Sequence, residues 1–269
     1  MNSNELLNRY ASGEKDFREV NLMRASLSGV SLYGADLSGA NLTEASLEGA
    51  NLGGANFSEA NLSGANLSGA NLIGVNLSEA GLRNANLSEV NFRGAKLCDA
   101  NLSEANLSGA NLVELNLHSV NLSRTKLVEA SLMKSNLGAA NLTYANLTRA
   151  NLENSNLSHA ILTGAILEHT KLSYVDFTKA NLSGVNLRWA TLFKANLRGT
   201  NLSWANLRGA NLSGAHLYRA NLSWANLTEV ILNEAVLMDT NLKRAILLNA
   251  NVDEAMLSGA VMPDGSVHK

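Results

Sequence analysis

The chain has 269 residues but only one cysteine, Cys98, and one proline, Pro263. A lone thiol has no intrachain partner, which excludes a disulfide framework and suits a reducing, cytoplasmic compartment. With Pro263 close to the end, every earlier backbone N–H is free to join a hydrogen-bond ladder. No apolar run approaches the roughly twenty residues that span a bilayer, and the start lacks a basic-then-apolar signal segment. Although the length alone would allow two domains, no composition shift marks a linker. The net charge of −2 is too small to imply a polyanionic or polycationic partner.

What is present is a phase. From Phe17 to Met262 every fifth residue is large and apolar; 44 of these 50 are Leu, and the others are Phe17, Phe57, Phe92, Phe177, Val252 and Met262. Two residues earlier, from Val20 to Ala260, sits a smaller residue, Ala in 34 of 49 cases, and between the two lies a short polar one, usually Asn. The unit reads Ala60-Asn61-Leu62-Ser63-Gly64. A helix repeats every 3.6 residues and a flat strand every two, so neither fits a strict five. A short extended piece followed by a bend does. Sixteen of the 21 glycines fall at the second residue after the Leu, where a bend needs φ > 0. A chain that bends the same way every five residues coils, and its coils stack at about 4.8 Å.

Over residues 16–262 this pattern resembles the pentapeptide repeat family. The resemblance implies an all-β fold, a right-handed quadrilateral β-helix with twenty residues per coil and about twelve coils. Residues 1–15 stand outside the repeat and are predicted to form a short helix over the first coil, with Ser3 or Asn4 as N-cap, Leu6, Leu7 and Tyr10 on one side and Gly13 as a stop. That opening is similar to the start of cyanobacterial members of the family. Residues 263–269 read as a tail, with a turn at Pro263-Asp264-Gly265 closing the far end. The outward Asn columns are expected to form amide ladders.

Little in the sequence points to chemistry. The five histidines do not converge: His118, His159 and His216 map to one side of a twenty-residue coil, His169 to the opposite side, and His268 to the tail. No metal or cofactor site and no catalytic constellation is expected, so the chain reads as a non-enzyme. Cys98 lies beside Asp99, which opposes thiolate formation. The many Asn-Leu-Ser and Asn-Leu-Thr triplets match a glycosylation sequon only because the repeat requires those residues.

Side-chain type along the rod is more informative. Residues 141–225 carry eight basic and three acidic side chains, and with them every Trp in the chain. Trp, Tyr and Arg are the types enriched at binding hot spots. The expected surface for a protein partner therefore comprises Trp189, Trp204, Trp224, Arg188, Arg208, Arg149, Tyr174, Phe193 and Tyr218. A scaffold that binds a protein through one face is the first reading. An alternative comes from the resemblance, because some members present an acidic rod to DNA gyrase. Asp16, Glu19, Asp36, Glu59, Glu79 and Asp99 do share a side here, but the basic band and the missing loop insertions depart from those members. A further alternative is nucleic-acid or phosphate binding by the basic band. Outward Ile231, Val236, Met238, Ile246, Leu248 and Met256 suggest a C-terminal homodimer interface.

Overall fold

A computed structural model describes residues 1–269. One helix, α1 (Ser3–Ala11), precedes a solenoid in which parallel bridges join the residue before each inward Leu or Phe to the one twenty further on, from Asp16 with Asp36 to Asn241 with Val261, at every step but Lys96 with Asn116. Four bends complete one coil. About twelve coils follow one another, giving a rod about 58 Å long at about 4.8 Å per coil.

One unit shows why these residues form this coil, because each of its five N–H groups has a separate acceptor. The Ala60 N–H closes a tight turn onto the Phe57 carbonyl at 3.1 Å; Asn61 donates back to Ala40 at 2.9 Å, and Leu62 and Gly64 donate forward to Gly81 and Arg83 at 2.7 and 2.9 Å. The fifth, on Ser63, points away from both neighbouring coils and is taken by the Asn61 side-chain oxygen at 3.1 Å. Asn is preferred before the Leu because it supplies that acceptor. Its amide N–H reaches the neighbouring coil as well, as in Asn71 to Asn51 and Asn136 to Asn116, both at 3.0 Å. Amide ladders form over many of the steps where the column keeps its Asn, as at Asn66, Asn86 and Asn106, but not at all of them.

The bend places φ > 0 at the second residue after the Leu, the signature of a type II turn. All sixteen glycines there lie between +62° and +75°. Thirty-three other residues, Glu, Lys, Trp and Tyr among them, hold the same left-handed conformation with φ between 52° and 63°. An L-residue there costs about 1–2 kcal/mol, so the ladder, not local preference, sets the geometry at these positions.

The Leu and Phe columns fill the interior with the Ala residues around them. Where Thr or Ser replaces Ala, the buried hydroxyl finds a carbonyl: Thr170, Thr200 and Thr240 donate to Leu147, Phe177 and Leu217 at 2.8–2.9 Å. A buried hydroxyl without such a partner would be destabilising.

The two ends differ. At the N-terminus α1 covers the first coil: Leu6 is fully buried, Tyr10 packs 6.5 Å from the Phe17 ring, and its hydroxyl donates to the Tyr33 carbonyl at 2.9 Å. The N-cap is Asn2, not Ser3 or Asn4, because the Asn2 side chain is the one that accepts the Glu5 N–H, at 2.9 Å. At the C-terminus residues after Pro263 fold back, and Val267 pairs antiparallel with Val261. This hairpin shields one side of the last coil. Beside it the core opens into an apolar cavity of about 150 Å³ lined by Leu232, Leu237, Leu242, Leu247, Ala250, Val252, Leu257 and Met262.

Candidate functional site

Because a coil takes twenty residues, four corners run the length of the rod. The bends ending at 144, 164, 184, 204, 224 and 244 share the first corner. Those at 149, 169, 189, 209 and 229 share the second, those at 174 and 194 the third, and those at 179 and 219 the fourth. On this register Trp204 and Trp224 lie on the first corner and Arg149, Arg188, Trp189 and Arg208 on the second. Tyr174 and Phe193 fall on the third, and Tyr218 on the fourth. The nine residues singled out in the sequence thus encircle the rod. Six of them, on the first two corners, border one side.

The first corner carries a stack. The Trp204 and Trp224 rings lie 4.7 Å apart and 7° from parallel, and the Arg244 guanidinium sits 4.4 Å from the Trp224 centroid. Trp204 keeps 63 % of its surface exposed against 42 % for Trp224, so one indole face of the stack remains open. Further along the same corner Arg124 covers Tyr144 at 5.4 Å. Sequence reasoning missed Arg244 and Arg124. Their spacing of twenty from Trp224 and Tyr144 is the signal that identifies them. On the second corner the Trp189 indole covers Gly209, where an added Cβ would fall 2.1 Å from the ring. On the third, Tyr174 and Phe193 meet edge to face at 5.7 Å.

Four of the eight basic residues of this band are paired with a carboxylate about one coil away. Arg149 meets Glu129 and Arg188 meets Glu168 at 3.4 Å, Arg208 meets Glu229 at 3.2 Å and Arg219 meets Asp239 at 3.6 Å. Exposed pairs of this kind add little stability, about 0–1 kcal/mol, but they hold the guanidinium groups flat along the rod. They also offset the local positive charge on which phosphate binding would depend.

Of the acidic residues on one side of the first coils, Asp16, Asp36 and Asp99 are tied in, while Glu19, Glu59 and Glu79 are not. Asp16 is held by Arg18 at 2.7 Å, which brings its carboxyl down to about 2, and Asp36 accepts the Asn56 amide at 3.0 Å. The Cys98 thiol donates to Asp99 at 3.2 Å, and that hydrogen bond with the carboxylate charge raises its pKa. A polar cavity of about 500 Å³ between α1 and the first coil is lined by Arg9, Glu14, Asp16, Arg18, Glu19 and Val20. Four of its five charges pair off, Arg9 with Glu14 and Arg18 with Asp16. No group of three or more His, Cys, Asp or Glu side chains is placed to hold a metal ion.

The apolar residues of the last coils ring the open core instead of forming one stripe. Ile246 and Leu248 belong to the side between the first two corners, Val236, Met238 and Met256 to the opposite side, and Ile231 to a third. All but Val236 are well exposed. No helix is long and apolar enough to cross a membrane.

The family model for pentapeptide repeats matches in eight copies that together cover residues 14–233. No curated protein matches the chain. Among solved structures, HetL, a pentapeptide repeat protein involved in heterocyst differentiation regulation from the cyanobacterium Nostoc sp. strain PCC 7120, is 36 % identical over 100 % of both chains, with a TM-score of 0.45. A second Nostoc pentapeptide repeat protein, alr5209, is 35 % identical over 41 % of this chain and 80 % of its own, with a TM-score of 0.18. QnrB1, a plasmid-mediated fluoroquinolone resistance protein, is 16 % identical over 82 % of this chain and 92 % of its own, with a TM-score of 0.30. The five-residue phase, the twenty-residue coil and the match over residues 14–233 make this chain a member of the pentapeptide repeat family, a family of β-helical scaffold proteins.

Proposed function

We propose that the chain is a non-enzymatic scaffold that binds a protein partner through the side of the rod bordered by its first two corners, over residues 141–225. The observation that carries this reading is the Trp204–Trp224 stack, an exposed indole pair braced by Arg244 at positions where Gly is the residue of least strain. Trp189, Arg188 and Arg208 border the same side. Large rings fixed by neighbours lose little freedom on binding, and such residues supply most of the energy at protein interfaces. The ion pairs that hold Arg188 and Arg208 have the same effect on the guanidinium groups. The test is affinity capture from the native cell with wild-type bait, with Trp204→Ser plus Trp224→Ser, and with Arg188→Ser plus Arg208→Ser. Loss of a captured protein with circular dichroism and melting unchanged supports the reading. A partner retained by both double variants removes it.

The open core at the C-terminal end favours a second contact of the same scaffold, self-association end to end. Exposed Ile246 and Leu248 on one side of the last coils and Met256 on the opposite side flank that opening, and exposed apolar side chains clustered at one end commonly mark an interface. Sedimentation equilibrium of wild type and of Leu248→Glu with Met256→Glu is the test. A wild-type monomer at high micromolar concentration rules this contact out.

A further inference from the structure

Between the Tyr144 ring, which covers Gly164, and Trp204 the first corner is bare, and we propose that this notch, floored by Gly184, seats an aromatic side chain from an acidic segment of a protein partner. The inference rests on the scaffold reading above and names the chemistry of its partner. Side chains at the bends lean toward the next coil: Tyr144 covers Gly164, Trp189 covers Gly209, and Lys179 and Lys194 approach Gly199 and Gly214. Gly164 has no side chain to lean on Gly184, and nothing lies within 4 Å of where a Gly184 Cβ would stand. The Tyr144 and Trp204 positions are three coils apart, about 14 Å along the rod. Trp204 is stacked on Trp224 on one side only, so its other face looks onto the notch.

The floor is apolar where the rest of the rod is not. In the Gly164 coil the Asn columns on both sides of the corner are interrupted by exposed Ile161 and Ile166, which stand in register between Asn141 and Asn181 and between Asn146 and Asn186. Replacing Asn by Ile also removes a backbone acceptor, and the N–H groups of Thr163 and Glu168 have none within the chain. The notch thus offers an indole face, a Tyr ring, two isoleucines and the unused Thr163 N–H, with that of Glu168 on the next corner. An aromatic ring is the group that stacks on an open indole face over glycine. The flanking charge decides the rest of the segment. Four of the eight basic residues of 141–225 are taken up by carboxylates, but Lys179 and Arg198, on the corner next to the notch, make no ion pair and leave positive charge beside it. Carboxylates beside the inserted ring would meet these cations and the free N–H groups.

The experiment uses the full chain and a fluorescein-labelled synthetic peptide of Asp and Glu with one central Trp, titrated by fluorescence anisotropy. Saturable binding is expected. It should weaken at least about tenfold when the peptide Trp becomes Ala and be lost when its acidic residues become Lys. Gly184→Trp should weaken it at least about tenfold too, because the new indole would lie on Trp204 and fill the notch. Gly214→Trp, on the opposite corner, carries the same backbone strain and should bind like wild type. Overturning results are no saturable binding to wild type, equal binding of the Trp and Ala peptides, or wild-type binding by a folded Gly184→Trp. A cellular partner that depends on Trp204 and Trp224 but is retained by Gly184→Trp would leave the scaffold standing and remove the notch.

Discussion

Leu142 lies at the middle of the rod, fully buried, with Leu122 and Leu162 above and below it in the same column and its N–H bonded to Ile161 at 2.7 Å. Truncation to Ala removes apolar contact and leaves a cavity, at a cost of about 2–5 kcal/mol. Aspartate at the same position adds a carboxylate with no partner, a further several kcal/mol whether it stays ionised or takes up a proton. In a solenoid each coil is held only by its neighbours, so a penalty of this size concentrated at one interface uncouples the coils on either side. The positions of the tryptophans make this measurable. Trp189, Trp204 and Trp224 all lie beyond residue 142, so their fluorescence follows only the C-terminal coils, whereas far-ultraviolet circular dichroism follows the whole rod. In urea, Leu142→Ala should shift both signals together to lower denaturant. Leu142→Asp should separate them, with two steps in the dichroism and one in the fluorescence. Coincident single transitions for Leu142→Asp would refute the nearest-neighbour account.

Gly209→Ala places a Cβ in the Trp189 ring as well as straining a left-handed residue. Its loss of stability in urea should exceed that of Gly69→Ala, where no atom is near and only about 1–2 kcal/mol of backbone strain applies; equal losses would show that Trp189 does not rest on Gly209. Cys98 should react slowly with a thiol reagent near pH 8 and faster in Asp99→Asn, since the raised thiol pKa comes first from the Asp99 hydrogen bond; an unchanged rate contradicts that cause. Asp16 titrates at about 2 beside Arg18, below its ordinary value of 3.8. Its folded-state pKa is depressed, so its contribution to stability is present above the ordinary value and is lost as pH falls toward 2. Arg18→Gln should bring the Asp16 carboxyl back toward the ordinary value by NMR titration, and a value still near 2 would remove Arg18 as the cause.

The sequence by itself determined the repeating unit. An apolar residue every fifth position, a small one two places before it, Asn between them in most repeats and Gly at sixteen of the bends are local demands: an inward side chain, an acceptor for the N–H that faces neither neighbouring coil, and a left-handed residue. Those demands are met inside five residues and can be read from five. What lies side by side is a different matter. The pairing of Trp204 with Trp224, of Arg188 with Glu168 and of Ile161 with the Asn residues on either side depends on four bends closing one coil, and the number of bends is set by the bend angle once coils are hydrogen-bonded together. The direction in which bend side chains lean, which covers Gly164 and Gly209 and leaves Gly184 bare, exists only in the stacked rod. So does the contrast between the ends, where α1 covers the first coil while the terminal hairpin leaves Leu247 and Leu257 beside an open cavity. Tertiary structure decided these because they are properties of contacts twenty residues apart, and no single repeat contains them.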